Sequence, residues 1–180
     1  MNKLCLLPLL FFLSGFAPTR EFLTLRSAGR TVDSVLFIKT PKTISTVKEL
    51  CRQFKGRPVF VDLWATWCAP CLNEFKTSAA LKDWLHSKGI VTLYVSFDDT
   101  ANADAWKKII FQYNLTGYHI MADKTLQDNF SILIWGAPGG INLPHYLIID
   151  KDGNIVEKNV LDSGAGDRLA QKIAKDLKLN

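Results

Sequence analysis

The run Pro58-Val59-Phe60-Val61-Asp62-Leu63 leads without a break into Trp64-Ala65-Thr66-Trp67-Cys68-Ala69-Pro70-Cys71, and few folds accommodate that junction. The first segment has the β-branched and aromatic content of a buried strand. In the second, Pro70 suits the first turn of a helix, where its missing N–H costs little and its fixed φ fits. Two cysteines three apart at such a helix start lie on one side of a single turn. Their Cα atoms are then about 5 Å apart, inside the roughly 4.4–6.8 Å that a disulfide requires. A strand that turns directly into this helix puts Cys68 at its electropositive end. There a thiolate is favoured, and the thiolate is the species that attacks a disulfide. The pattern predicts a redox site, with Cys68 as the attacking thiol and Cys71, one turn deeper, as the shielded resolving thiol. The helix terminus contributes about 0.3–1 kcal/mol, and one pKa unit is about 1.4 kcal/mol. Further stabilisation of the thiolate is therefore expected from Cys71 and nearby backbone N–H groups.

Two rival readings of the pair are weaker. A tetrahedral zinc site wants four ligands, and the chain adds only Cys5, Cys51, His86, His119 and His145, no two closely spaced. A purely structural disulfide would close too small a loop to stabilise much. Cys51 follows Val47 and Leu50 and precedes Phe54 on one helical face, and reads as a core residue.

At 180 residues, 48% hydrophobic and 22% charged, the chain suits one domain plus a short extra segment. Removing Lys3 and Arg20 from the net charge of +5 leaves +3. That is too mild, and the lysines too scattered, to predict a nucleic-acid partner. Lys3 precedes an apolar run over residues 4–17, interrupted by Pro8, Ser14 and Gly15. This is the layout of an export signal and falls short of the roughly 20 residues that span a bilayer. Gly15 and Ala17 suit cleavage and Pro18 disfavours it, so an uncleaved anchor stays open. The expected organisation is a signal peptide or membrane anchor plus linker over 1–29, with a tether through 4–17, and a domain over 30–180. The expected location is a periplasm.

Beyond residue 30, strand and helix signals alternate. Strands are predicted over 32–38, 59–63, 90–97, 118–121, 145–149 and 155–160, the last two joined by the turn Asp150-Lys151-Asp152-Gly153. Helices are predicted over 43–54, 68–87, 101–113, 126–132 and 167–179. A βαβ core followed by a hairpin and a terminal helix implies an α/β fold, a central mixed sheet with helices on both faces.

The octapeptide Trp64-Ala65-x-Trp67-Cys68-x-Pro70-Cys71 after a buried strand resembles the thioredoxin superfamily, and within it the exported TlpA/ResA-type thiol–disulfide oxidoreductases. The resemblance covers roughly residues 30–180; the octapeptide is highly specific and the remainder is pattern-level. It implies a thioredoxin-like fold in which the unit around residues 101–121 is a central αβ insertion. It also implies a protein-disulfide reductase without a cofactor, whose partners are disulfide-bearing exported proteins and a membrane electron donor. Apocytochrome c thiols are one such client. The dipeptide Ala69-Pro70 resembles the reducing side of the superfamily.

The same resemblance assigns site residues. Pro144 matches the cis-proline that faces the two cysteines, and the backbone of Leu143 would pair with an extended substrate segment. His145 follows where the family often places Thr next to this proline, and is expected to hold substrate or tune Cys68, or merely to begin the strand. Trp67 is expected at the thiols and substrate, with Trp64 packed beneath. The glycine-rich stretch 135–142 is either a substrate lip or an accommodating turn. Asp62 matches the buried aspartate of cytoplasmic-type thioredoxins, where burial raises the pKa and suits the group to take the Cys71 proton. Glu74 matches the active-site glutamate of the ResA-type branch, or is an ordinary exposed helix carboxylate. Having both departs from that branch, and Asp62 is the favoured proton acceptor. The alternative function is Cu(I) delivery by Cys68, Cys71 and His145, which lacks a Met-rich or His-rich loop, Met121 being the one internal methionine. A thiol peroxidase is disfavoured by the paired cysteines.

Overall fold

The computed structural model, which describes residues 34–38, 44–160 and 166–179, gathers the strand segments into one mixed sheet whose central strands are buried on both faces. The expected leader or anchor over 1–29, the domain start at residue 30 and the beginnings of the predicted strand 32–38 and helix 43–54 lie outside the described residues. The described strands are β1 (Val35–Phe37), β2 (Val59–Trp64), β3 (Val91–Ser96), β4 (Gly117–Met121), β5 (His145–Ile149) and β6 (Ile155–Val160). Their spatial order is β1-β4-β3-β2-β5-β6. The first four are mutually parallel, and β5 and β6 run antiparallel to their neighbours. The helices are α1 (Val47–Arg52), α2 (Ala69–Thr77), α3 (Ala79–Ser87), α4 (Ala103–Gln112), α5 (Lys124–Trp135) and α6 (Gly166–Asp176), with a short 3-10 turn over Thr100–Asn102 before α4.

Strand periodicity assigns each residue a face. Val59, Val61 and Leu63 of β2, with Leu147 and Ile149 of β5, pack under Leu50 of α1 and Leu126 and Phe130 of α5. The intervening residues take the other face. There Phe60, Tyr146 and Ile148 meet Leu85 of α3 and Leu169 and Ile173 of α6. Trp64 and Tyr94 meet Phe75 of α2 and Trp106 and Ile110 of α4. Asp62 therefore belongs to the α2/α3 side. Cys51 is buried in the first core, where burial pushes its thiol up to about 12.

One helix predicted over 68–87 is two. Thr77 Oγ1 donates to the carbonyl of Glu74 (3.2 Å) and Ser78 Oγ to that of Phe75 (3.3 Å). Hydroxyls bonding back to the preceding turn compete with the helical ladder, and α2 stops at Thr77. Conversely, α5 outruns the predicted 126–132. Asp123 caps its start by accepting the Leu126 N–H (2.8 Å), and Gly136, at φ 82°, ends it in the left-handed region.

Gly117 opens β4 at φ 138°, and a Cβ there would lie 2.6 Å from the carbonyl oxygen of Thr92. Gly117→Ala is expected to cost about 1–3 kcal/mol of stability, read as a lowered urea midpoint with an unchanged slope.

Candidate active site

The parallel register carries β2 and β3 to the same end of the sheet, and the cysteines emerge there. β2 ends at Trp64, fully buried, its ring edge-on to Phe75 with 5.2 Å between centroids. The chain then turns, the Cys68 N–H donating to the Ala65 carbonyl (3.1 Å), and enters α2 with Cys68 as its N-cap. Pro70 stands at the start of the helix, as the first-turn rule requires. Cys68 and Cys71 are joined as a disulfide with their Cα atoms 5.3 Å apart. Cys68 Sγ accepts the Cys71 backbone N–H at 3.2 Å, so one of the helix's free donors already points at the sulfur that would carry negative charge.

The other side of the site comes from the loop before β5. Its antiparallel register pairs Leu63 with His145, the first residue of β5, and Pro144 directly precedes it. The Leu143–Pro144 bond is cis. Leu143 packs against the cluster that contains Cys68 and Cys71. Trp67, directly before Cys68, is 65% exposed and presents its ring to solvent.

His145 opens β5, the plainest of the readings that the sequence left open for it. It shares a face with Leu147 and Ile149, away from Asp62 and Tyr146, and is fully buried. Its Nε2 bonds the carbonyl of Lys158 (2.6 Å) and its ring lies against Trp135, 5.7 Å between centroids. Burial lowers its pKa, the Lys158 carbonyl opposing. The side chain thus offers no surface to a substrate and does not join the cysteines as a third metal ligand. Among the described residues no group of three or more His, Cys, Asp or Glu is placed to hold a metal ion. The glycine-rich turn after α5 is tied down at one point, Ser131 Oγ donating to the Gly139 carbonyl (2.7 Å).

Asp62 and Glu74 do come together. Both line a cavity of about 400 Å³ between the sheet and α2/α3, with Lys82, Tyr94 and Tyr146. Asp62 is 7% exposed, and burial first, then the neighbouring Glu74 charge, push its carboxyl well above the usual range, with Lys82 opposing. Lys82 is pulled down by its own burial, against the charges of Asp83 and Asp62. Its Nζ donates to the Tyr113 carbonyl (3.3 Å). The Tyr146 hydroxyl donates to Glu74 Oε2. Tyr146 and Lys82 were not singled out from the sequence. The alternation along β5 was the available signal for Tyr146, setting it on the face opposite His145; the register across β2 makes that the face of Asp62. For Lys82, the break at Ser78 that sets the direction of α3 left no clear trace.

A mixed sheet in this strand order, with a Cys-x-x-Cys pair at the start of the helix that follows β2, is thioredoxin-like. The profile of the Redoxin family matches residues 33–175, and the chain belongs to that family, on its TlpA/ResA-like side. The thiol-disulfide oxidoreductase ResA of Bacillus thuringiensis subsp. konkukian is 32% identical over 107 residues, 59% of this chain and 57% of that protein. The thioredoxin-like protein YneN of Bacillus subtilis is 24% identical over 120 residues, 66% of this chain and 65% of that protein. The chain thus spans little more than half the length of the ResA relatives it matches. Among solved structures, a candidate thiol-disulfide oxidoreductase from Bacteroides vulgatus has 29% identity and a TM-score of 0.55, covering 72% of this chain and 80% of that one. A thiol:disulfide interchange protein from Chlorobium tepidum shares the fold at 21% identity and a TM-score of 0.58, covering 70% and 83%.

Proposed function

We propose that this chain is a thiol–disulfide oxidoreductase that reduces disulfides of exported proteins. The observation that carries the reading is the Cys68–Cys71 pair at the start of α2, with the Cys71 N–H on Cys68 Sγ. In the reduced form, Cys68 thiolate attacks one sulfur of a substrate disulfide. That S–S bond breaks, a mixed disulfide forms and one substrate thiolate leaves. Cys71 then loses its proton and attacks Cys68 Sγ, releasing the second substrate thiolate and leaving the internal disulfide. Two electrons pass to the substrate, and an external dithiol donor must return them. Asp62, whose carboxylate is made more basic by burial and by the Glu74 charge, accepts the Cys71 proton and passes it to solvent through the cavity it shares with Glu74. Trp67 and the Leu143 backbone beside Pro144 hold the extended substrate segment, as a short strand-like pairing.

The finer reading follows the resemblance. Residues 1–29 export the chain to a periplasm or anchor it through 4–17, a membrane protein recharges the dithiol, and apocytochrome c thiols are a client. Among the described residues no helix is long and apolar enough to cross a membrane.

Equilibration of the full chain with a glutathione or dithiothreitol series measures the Cys68–Cys71 potential. A value at or below about −250 mV, on the thioredoxin side of the scale, is expected. One above about −150 mV reverses the direction to disulfide donation. Absence of a two-electron couple ends the redox reading and leaves copper delivery.

A further inference from the structure

Two carboxyl groups are buried among the described residues, and they are held in opposite ways. Asp62 lines the open cavity beside Glu74 and Lys82. Asp98, just past the end of β3 and 2% exposed, is saturated. Its Oδ2 accepts the backbone N–H of Thr66 (2.9 Å) and the hydroxyl of Ser96 (2.6 Å), and its Oδ1 accepts the Thr66 hydroxyl (2.6 Å). The Ser96 oxygen in turn accepts the Asp98 N–H at 3.2 Å. Buried networks that are fully satisfied rigidify what they hold. This one holds Thr66, two residues before Cys68.

Backbone bonds complete the anchorage. The Phe97 N–H donates to the Trp64 carbonyl (2.8 Å), and the Ala122 N–H to that of Ser96 (2.9 Å). The far end of the turn is closed by Cys68 N–H on Ala65 (3.1 Å). Thr66 sits inside that closure, so its two donors to Asp98 fix how the turn delivers Cys68 to the start of α2. A displaced turn would swing Cys68 Sγ away from the Cys71 N–H that it accepts at 3.2 Å. A charge-assisted contact of this kind weakens steeply with misalignment.

We propose that Asp98 is a positioning residue for the dithiol, clamping Thr66 so that the helix terminus stabilises the Cys68 thiolate. The inference rests on the redox reading above and adds a residue from β3's end to it. Its donor is specific: threonine or serine at 66 supplies a hydroxyl, whereas valine, of the same shape, supplies none.

The test compares wild type, Thr66→Val, Thr66→Ser and Asp98→Asn in the full chain. The pH dependence of Cys68 alkylation in the reduced protein and the reduction potential are read beside the melting temperature. Thr66→Val is expected to raise the alkylation midpoint by about half a pH unit and to slow alkylation at pH 7 about threefold. Its potential moves to more negative values, because the reduced form loses stabilisation. Thr66→Ser keeps the wild-type midpoint, and Asp98→Asn shifts it in the same sense as Val. If Asp98→Asn fails to fold, the Val/Ser pair alone decides. A Val variant that melts lower while its midpoint and potential match wild type makes the clamp purely structural and overturns the proposal. A wild type with no reversible couple fails the redox reading instead, and the two failures are told apart by that first measurement.

Discussion

With Cys68 replaced by serine, reduction of a peptide disulfide is expected to fall by about three orders of magnitude or more, to the background rate. The measurement is single-turnover thiol release from a defined peptide, followed by chromatography. Cys51, the one cysteine outside the pair among the described residues, cannot take over. Cys51 is 4% exposed, and its thiol is pushed up to about 12 by burial, so at pH 7 about one part in 10⁵ is thiolate. Cys71→Ser gives a different outcome from the same cause. The first attack proceeds, the second thiol is missing, and the mixed disulfide accumulates as a covalent adduct visible by mass. A Cys68→Ser protein that retains the wild-type rate would place the chemistry elsewhere. Adduct formation on Cys71 in place of Cys68 would exchange the two roles.

The second large effect concerns Asp62 and pH. Its carboxyl is raised in the folded chain by burial and by the Glu74 charge, against Lys82. In the unfolded chain it titrates near 3.9. Between those values the folded state holds a proton that the unfolded state has lost, so stability falls as pH rises. The stability associated with the protonated acid is complete below the unfolded value. It is lost as pH climbs through the folded one, by about 1.4 kcal/mol for each unit of separation. Asp62→Asn removes that slope. Urea unfolding of the oxidised protein at a series of pH values is expected to show wild type losing stability relative to the variant as pH rises, with the gap constant above the folded pKa. A gap that does not change with pH would mean that Asp62 ionises in the fold as it does in water. In the reduced protein, the same variant is expected to slow resolution of the mixed disulfide without slowing the first attack, because only Cys71 needs a proton acceptor.

The fold was largely legible because its signals are local. β5 and β6 end where the alternation and the turn Asp150–Gly153 place them, and the octapeptide locates the site by itself. Elements were misjudged where a side chain overrode propensity. Thr77 and Ser78 broke the long helix through bonds to its own carbonyls, and Asp123 and Gly136 lengthened α5, although both cap residues stand in plain view. The site was legible less evenly. Cys68 and Cys71 follow from motif and spacing, Pro144 was named through the family resemblance alone, and the face of Asp62 follows from strand period. The two-residue period of β5 puts His145 and Tyr146 on opposite faces, but β5 is buried on both sides, so which of them shares the face of Asp62 follows only from the register across β2. Tyr146 on Glu74 and Asp98 on Thr66 span 72 and 32 residues respectively. Pairings of that range depend on strand order, which no local pattern encodes.

The apolar residues behind the disulfide come from separate stretches of the chain. Trp64 and Phe75 lie beside the cysteines in sequence, Tyr94 arrives on β3, and Trp106, Ile110 and Leu115 come from α4 and its approach to β4. The redox octapeptide is therefore not portable. Moved to another strand–helix junction, it would take along two sulfurs and a proline but leave behind the dry backing that keeps Cys71 from bulk solvent. Variation in the α4–β4 unit is then variation in the dithiol's own environment, and relatives with one octapeptide but different units there can differ in chemistry without a change at the cysteines.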